Sequence, residues 1–592
     1  MRTAIALAAA CVCAAQAGQP SFVNWESPHV SPLDLTPDGS RLLAVNTADN
    51  RLEVFEVTPE GLDHLGAVPV GLDPVSVRAR TDSEAWVVNH VSDSVSIVDL
   101  DAMNAVATIH TDDEPADVVF AGDPERAFVT VSQRNQLKVY DPADPFAAPI
   151  VIDLAGEDPR ALATDGQTVY AAIFESGNDT TVLNEQVVSS NLNPYAGDQN
   201  PPPNDGDAFD PPIAEGLPAP PEASIILKKD ASGVWRDDNG ADWSAAVTWD
   251  LHDHDVAIID ADTLSVDYAT GIMNANMAIA VRPGAGATVV GTDCINEVRF
   301  EPNVKGIFVR VMAGLVSGAG DPAQLVDLNS HLDYTTPTVS QSIRDQSVGD
   351  PRGIAWTARG DRGYITGMGS NNVVVVDGSL SRIGRIEVGE GPTGVRVDEA
   401  NDRVYVLNKF EGSISVLDSV GLTEASRVGY FDPTPVEIKE GRPFLYDTHL
   451  TSGLGQASCA SCHIDGRMDQ LAWDLGDPQG EVKPFNQTCN FGFGGCEDWH
   501  PMKGPMATQT LIGIVGTEPF HWRADREDLP AFNPAFEALM GDDTQLTGEE
   551  MDQFTAFVAS LTTPPNPFRD HTGALPASLN GGNAQTGFTL FT

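Results

Sequence analysis

The stretch Asp73-Pro74-Val75-Ser76-Val77, followed by Val87-Val88-Asn89 and by Val95-Ser96-Ile97-Val98-Asp99, decides the fold of this chain. Short apolar segments separated by polar turns are typical of neighbouring antiparallel strands. Successive units of this kind start at Pro32, Pro74, Pro115 and Pro159, which are 42, 41 and 44 residues apart. A blade of four antiparallel strands takes about 40–45 residues, and this period therefore predicts an all-β propeller.

Further units start at Met277, Pro351 and Pro392, which gives about seven predicted blades between residues 18 and 432. Two insertions interrupt the array. The first, near residues 174–253, is proline-rich and splits the fourth blade, so we expect it to be irregular. The second, near residues 317–348, separates blades five and six. A miscount at either interruption would give six or eight blades.

Two units carry a more specific signature. Val87-Val88-Asn89-His90 and Val406-Leu407-Asn408-Lys409 resemble the YVTN repeats of exported bacterial propeller proteins, over roughly residues 30–430. The resemblance implies the propeller fold but no particular activity, because propellers support many chemistries.

Residues 1–17 have the features of a cleavable secretory signal, with one arginine, an apolar run and the ending Ala15-Gln16-Ala17. A lipid anchor on Cys11 is the alternative, although Ala8-Ala9-Ala10 is a poor context for lipidation. No later segment is apolar enough to cross a bilayer. We therefore expect a periplasmic or secreted protein without a transmembrane segment.

The net charge of −51 comes from 85 acidic and 34 basic residues. Nucleic acids and anionic membrane surfaces are poor partners for such a chain, because both bind clustered Lys and Arg. An acidic surface favours solubility and attracts basic partners. We expect a redox protein or a small-molecule substrate as the partner.

Beyond the propeller, Cys459-Ala460-Ser461-Cys462-His463 has the C-x-x-C-H pattern of covalent haem attachment. The two thiols form thioethers with the haem, and the imidazole is an axial ligand of the iron. A zinc site would need a second ligand pair, and the spacing of Cys489 and Cys496 is unusual for one. We expect those two cysteines to close a glycine-rich loop as a disulfide. Cys294 is then left as a buried, strand-borne hydrophobic residue.

We assign residues 433–568 to an all-α cytochrome c domain and residues 569–592 to a C-terminal tail. Its last helix is well marked, because Thr547-Gly548-Glu549-Glu550 has the pattern of a capping box. Apolar residues then recur at helical spacing until Pro564-Pro565 ends the helix.

The second axial ligand decides what a haem does. A thioether gives an electron-transferring iron, whereas an open position allows peroxide chemistry. The candidates are Met502, Met506, His521 and Met540, and an open position is the remaining alternative. Arg523 and Arg526 could pair with haem propionates or with neighbouring acids, of which Asp525 is one.

The stretch from Pro519 to Leu561 resembles the C-terminal haem domain of bacterial di-haem cytochrome c peroxidases. The likeness lies in Pro519-Phe520-His521 and in Met540-Gly541 before the last helix. It implies that Met540 is the distal ligand and that Pro519, His521 and Trp522 surround the haem. Candidate catalytic residues are His521, Trp522 and Arg523.

The runs Thr448-His449-Leu450-Thr451-Ser452-Gly453 and Asp469-Gln470-Leu471-Ala472-Trp473-Asp474-Leu475-Gly476 resemble a subgroup of exported propellers with peroxidase-like haem domains. That subgroup commonly continues into a second haem motif, which this sequence does not contain. We therefore expect one haem c per chain, or a second module missing beyond Thr592. Propeller histidines leave open an additional copper site, built from His90, His252, His254 and His331.

Together these features predict an exported c-type cytochrome that transfers single electrons, with the acidic propeller as a docking or substrate-binding platform. One alternative is a haem peroxidase-like oxidoreductase. Another is a metal or small-molecule active site in the propeller that exchanges electrons with the haem.

Overall fold

A computed structural model describes residues 24–195, 199–204, 209–318, 320, 323–485, 498–563, 566, 568–569, 574–578 and 581–591. The predicted signal segment 1–17 and the predicted disulfide between Cys489 and Cys496 lie outside these residues. Trp25–Leu561 forms one compact unit, and the described residues after Leu561 belong to a second unit. In the second unit, Ala584–Phe591 is helical.

Seven successive groups of four antiparallel strands form most of Trp25–Leu561. Blades four and five also join through one pair, Glu175 opposite Ala275. In chain order the strands of the seven blades are Leu33–Leu35, Arg41–Asn46, Arg51–Thr58 and Gly61–Pro69; Pro74–Ala79, Glu84–Asn89, Ser94–Asp99 and Asn104–His110; Pro115–Ala121, Arg126–Val131, Gln136–Tyr140 and Ile150–Asp153; Glu157–Thr164, Thr168–Glu175, Val256–Asp260 and Val266–Ala269; Ala275–Arg282, Gly286–Cys294, Val309–Val316 and Gln324–Asp327; Pro351–Trp356, Arg362–Gly367, Asn372–Asp377 and Arg382–Glu387; and Pro392–Asp398, Arg403–Asn408, Ser413–Asp418 and Thr423–Gly429.

The blades close into a ring. The first strand of each blade contacts the first strand of the next, and Leu33–Leu35 of blade one contacts Pro392–Asp398 of blade seven. At this junction Arg396 Nε donates to Asp34 Oδ1 over 2.8 Å. Residues from all seven first strands line one central cavity of about 410 Å³. This is the architecture of a β-propeller, as the repeat predicts.

Both interruptions contain more regular structure than the sequence suggests. The first holds a three-stranded sheet of Thr180–Leu183, Ile225–Lys229 and Trp235–Arg236, together with the helix Glu185–Val188. Its own apolar cluster forms around Trp235 and Trp243. The segment 317–348 contains the outer strand of blade five, Gln324–Asp327, and the helix Gln341–Arg344.

The all-α cytochrome domain predicted for residues 433–568 is not shown by the structure. Among its described residues one helix, Gly548–Ser560, exceeds six residues, and Ala472–Trp473 pairs with Met506–Ala507 as two short strands. The other helices of this segment are Val436–Gly441, Pro443–Tyr446, Thr448–Thr451 and Ala535–Ala538.

The remaining short elements are spread over the chain. The helix Glu301–Val304 lies in a loop of blade five. Short 3-10 turns are Thr47–Asp49, Ser132–Arg134, Glu399–Asn401, Cys459–Ser461, Ile464–Gly466 and Pro530–Phe532.

The predicted capping box of the long helix is confirmed. Thr547 Oγ1 accepts from the Glu550 amide, and the Glu550 side chain accepts from the Thr547 amide. Met551, Phe554 and Phe557 on the following turns are buried. None of the helices in the described ranges is long and apolar enough to span a membrane.

Candidate functional site

The motif Cys459 to His463 folds as a tight turn. Cys459–Ser461 is a single 3-10 turn, and a reciprocal capping box between Ser458 and Ser461 stabilises it. His463 N donates to Cys459 O over 3.0 Å, which continues the turn through the imidazole-bearing residue. Small residues between the cysteines therefore bring two thiols and one imidazole into a single turn of chain.

The two thiols lie against different apolar clusters. Cys459 packs on the cluster that contains Phe520, whereas Cys462 packs on the cluster that contains Met540. Neither is in a disulfide. Burial raises the pKa of Cys459 to about 12, and burial together with Asp469 raises the pKa of Cys462 well above its usual value. Both side chains are thus protonated, uncombined thiols that lie partly buried against apolar residues.

The imidazole of His463 is the third group of the site. Its Nδ1 is buried and has no hydrogen-bond partner among the residues that the structure describes. Burial lowers the pKa of His463 to about 4, against the opposing effect of the backbone at Gln509 and Arg467. His463 is therefore neutral at physiological pH, and a neutral imidazole can ligate a metal. Two free thiols and such an imidazole are the donor set that a c-type haem takes, so the residues present fit that group.

Met540 lies in the apolar cluster around Cys462 and is 2% exposed. Backbone contacts hold the loop that carries it, because Gly453 N donates to Met540 O over 3.0 Å and Gly306 N donates to Leu539 O over 2.9 Å. The loop is thereby fixed to both the motif's own segment and blade five. Of the methionine candidates, Met540 is the one that the structure brings to a motif cysteine.

Met502 and Met506 have other surroundings. Met502 is buried, and its amide donates to His500 Nδ1 over 3.0 Å. Met506 pairs with Trp473 across the short strand pair. Within the part of the chain that the structure describes, neither methionine joins the clusters around Cys459 and Cys462.

His521 follows Phe520, an aromatic residue of the cluster beside Cys459. The charge of His521 acts to lower the pKa of His463. Its Nδ1 lies 2.8 Å from Asp525 Oδ1, and its ring meets Phe532 edge-on at 4.8 Å. Burial lowers the pKa of His521 although Asp525 acts to raise it. His521 is therefore held by a carboxylate.

Trp522 and Arg523 follow in the same turn. Trp522 is 63% exposed, and its Nε1 donates to Ala507 O over 2.8 Å. Arg523 forms an ion pair with Asp525 at 2.8 Å and donates to His500 O over 2.7 Å. Arg523 therefore pairs with a neighbouring acid, which is one of the two partners that the sequence predicts for it.

Three basic side chains gather beside this turn without a carboxylate partner within 4.0 Å in the described residues: Lys483, Lys503 and Arg526. Burial lowers the pKa of Lys503, and Arg523 and Arg526 lower it further. Glu301 lies in the same group and acts on both lysines. Sequence reasoning missed Lys503, although basic residues are scarce in this chain.

Cys294 ends the strand Gly286–Cys294 and is 1% exposed, which confirms the prediction of a buried strand residue. Its position beside the motif was not predicted, since its Sγ lies 3.9 Å from Ser461 O. Burial raises its pKa well above the usual value.

The four propeller histidines do not share one environment. His252 and His254 lie with ring centroids 5.7 Å apart, whereas His90 contacts Pro115 and Glu114. His331 lies 3.4 Å from the Ser347 hydroxyl. In the described ranges no group of three or more His, Cys, Asp or Glu side chains is arranged to hold a metal ion.

The residues directly after His463 enter the mouth of the propeller channel. Ile464 packs against Phe174, Ala275 and Met277 of blades four and five. Asp465 accepts from Arg352 Nη1 at 3.0 Å and lies 3.5 Å from Arg160 Nη1. We call the buried ionic group the channel-mouth network, which consists of Asp158, Arg160, Asp350, Arg352 and Asp465.

The repeat contains a signal for this network that sequence reasoning missed. Asp158-Pro159-Arg160 and Asp350-Pro351-Arg352 occupy the same place in blades four and six, at the start of the first strand. Both aspartates have a left-handed backbone, with φ of 56° and 47°. An arginine two residues after this turn faces a buried environment, where it requires an acidic partner.

No protein-family model and no curated protein sequence matches the chain. Solved structures similar to it include hydrazine synthase of Kuenenia stuttgartiensis, at 17% identity and a TM-score of 0.44 over 68% of this chain and 98% of that one. Apo AztD from Citrobacter koseri gives 10% and 0.36 over 66% and 94%, and virginiamycin B lyase from Staphylococcus aureus gives 9% and 0.37 over 65% and 93%. Likenesses this low say nothing about chemistry, and the propeller assignment rests on the closed ring of sheets.

Proposed function

We propose that this chain is an exported c-type cytochrome that holds one haem on Cys459 and Cys462 and transfers single electrons. The observation that carries the proposal is the buried, partnerless Nδ1 of neutral His463, in the same turn as two uncombined thiols. When bound, the haem supplies a reversible one-electron couple at its iron.

The surrounding residues have separate tasks in this proposal. His463 would provide a nitrogen ligand to the iron, and Met540, from the cluster beside Cys462, would provide a thioether ligand. The aromatic cluster beside Cys459, which includes Phe444, Phe520 and Phe536, excludes water from that side. A dry surround and a thioether ligand both favour electron transfer over peroxide binding.

Arg526 and Lys503 would face the haem propionates. Both lie near His521 and lack a carboxylate partner within 4.0 Å in the described residues. A partly buried propionate needs such a charge-assisted donor. Arg523 is less suited to that role, because Asp525 already pairs with it.

The propeller is proposed to dock the electron-transfer partner. A net charge of −51 attracts a basic partner over long range and accelerates its association at low ionic strength. The association rate is therefore expected to fall steeply as salt is added.

The test is the optical spectrum of the purified full chain, produced in a host that matures c-type cytochromes. We expect one covalent haem per chain and a six-coordinate, low-spin ferric spectrum with the weak near-infrared sulfur-to-iron band. Met540→Ala should abolish that band. Met551→Ala is the matched control, since Met551 is also buried but lies in the long helix.

A high-spin ferric protein that turns over hydrogen peroxide would replace electron transfer by a peroxidase-like activity. In that case His521→Ala should lower turnover, because His521 and its partner Asp525 are the acid–base pair near His463. A preparation that binds no haem would refute both functions.

A further inference from the structure

The channel-mouth network joins the haem-motif segment to the propeller. Asp350 pairs with Arg352 at 2.6 Å, and Asp158 pairs with Arg160 at 2.6 Å. Asp465 lies between these two pairs, 3.0 Å from Arg352 and 3.5 Å from Arg160. The five side chains therefore form one continuous chain of alternating charge across the channel mouth.

From this geometry we infer that Asp465, held by Arg352 and Arg160, is a positioning residue that fixes the His463 turn on the propeller and sets the reduction potential of the haem. The inference rests on the proposed function, because it concerns the iron that His463 would ligate. It gives the propeller an electronic role in addition to docking.

The fixing of the turn follows from packing and from backbone geometry. Asp465 has a left-handed backbone with φ of 54° and is only 4% exposed to solvent. Ile464 beside it is 2% exposed, in contact with Phe174 and Met277. Two consecutive side chains thus enter the propeller directly after His463, so that the imidazole-bearing residue cannot shift without extracting both of them.

The effect on the potential follows from the charge. Oxidised iron carries one more positive charge than reduced iron, and a buried carboxylate near it favours the oxidised state. The arginines act in the opposite sense. Because each arginine has its own aspartate, Asp465 is the carboxylate in excess within the network. The partly buried Lys409 also acts to lower the pKa of Asp465 but forms no ion pair with it within 4.0 Å in the described residues.

The ion pairs of the network also let the key variant fold. Asp465→Asn has nearly the same volume, and its side-chain oxygen can still accept from Arg352. Arg352 keeps Asp350, and Arg160 keeps Asp158 and its stacking on the Phe174 ring at 3.5 Å. Removing the Asp465 charge therefore leaves neither arginine without a partner.

The experiment compares midpoint potentials of haem-loaded full-length variants by optical redox titration. Asp465→Asn should raise the potential and Arg352→Gln should lower it, whereas Arg352→Lys, which keeps the charge, should stay near the wild-type value. A purely structural role would shift Asp465→Asn and Arg352→Gln in the same direction, because both loosen the turn. The control is Glu424→Gln, which breaks a surface pair with Arg427 and should leave the potential unchanged.

Hydrogen exchange supplies a second readout that does not depend on the potential. Amides of residues 463–467 should exchange about tenfold faster in Asp465→Asn than in wild type, because one buried charge-assisted contact is lost. Unchanged exchange and an unchanged potential would overturn the inference. The haem content of the same samples reports separately on the proposed function, since one haem per chain with no shift refutes only the role of Asp465.

Discussion

The Nδ1 of His521 lies 2.8 Å from the Oδ1 of Asp525, while the other oxygen of that carboxylate lies 2.8 Å from Arg523 Nη2. The Asp525 side chain is 3% exposed. Burial acts to raise the pKa of Asp525, but His521 and Arg523 hold it well below its usual value. One buried carboxylate thus fixes both His521 and Arg523 in the same turn.

Asp525→Asn is expected to lower the free energy of unfolding by about 1–3 kcal/mol at pH 7, because His521 and Arg523 lose a charged acceptor. A carboxyl group whose folded-state pKa is depressed stabilises the protein above its unfolded pKa, and that stabilisation is lost as the pH falls. The difference between variant and wild type should therefore shrink below about pH 4. Urea titrations at pH 7 and at about pH 3 measure it, with the exposed Glu527→Gln as the control.

Covalent haem attachment should depend on Cys459 and Cys462 but not on Cys294. Cys459→Ala combined with Cys462→Ala removes both thioethers, so haem should separate from the denatured chain on a gel stained for haem. Cys294→Ala deletes a neighbouring, more deeply buried sulfur 3.9 Å from Ser461 O and should keep the haem bound. Haem retention in the double variant would contradict attachment at this motif.

The propeller could be predicted because it is repetitive. Six of the seven copies have a proline within three residues of the start of the first strand, and the copies share runs such as Val373–Val376 that are buried on both faces. The same local pattern, seven times, leaves few other folds. The insertions lack a period, and for that reason the three-stranded sheet in the first one and the blade strand Gln324–Asp327 were not predicted.

The site could be predicted only in its local part. The spacing of Cys459, Cys462 and His463 specifies their chemistry, and the capping box at Thr547 specifies a helix start. The channel-mouth network joins residues up to 307 positions apart, from Asp158 to Asp465, and no local pattern reports such pairing. Contacts of this kind become visible only when the fold places the strands.

The capping box of the last helix gives a direct test of that local part. Thr547→Ala should lower the free energy of unfolding by about 1 kcal/mol, because the Glu550 amide loses its acceptor and the Glu550 carboxylate loses one of its two donors, the Thr547 hydroxyl. Thr547→Ser keeps the hydroxyl and should be close to wild type. Urea unfolding followed by circular dichroism distinguishes the two, and equal loss in both variants would indicate a packing effect of the methyl group instead.

Glu175 should make the stability of the propeller depend on pH near neutrality. It ends the second strand of blade four, next to the channel-mouth network, and accepts from Gln470 Nε2 over 3.1 Å. Burial and the charge of Asp158 raise the pKa of Glu175 to about 7. A carboxyl group with a raised folded-state pKa stabilises the protein while it is protonated, and this contribution is lost as the pH rises from about 4.5 to 7 and above.

Glu175→Gln removes the titration, so wild type should lose on the order of 1–2 kcal/mol of unfolding free energy relative to the variant between pH 4.5 and 8. Thermal unfolding across that range measures the difference, and the exposed Glu549→Gln should show no comparable divergence from wild type. A constant difference between wild type and Glu175→Gln would show that Glu175 stays ionised throughout.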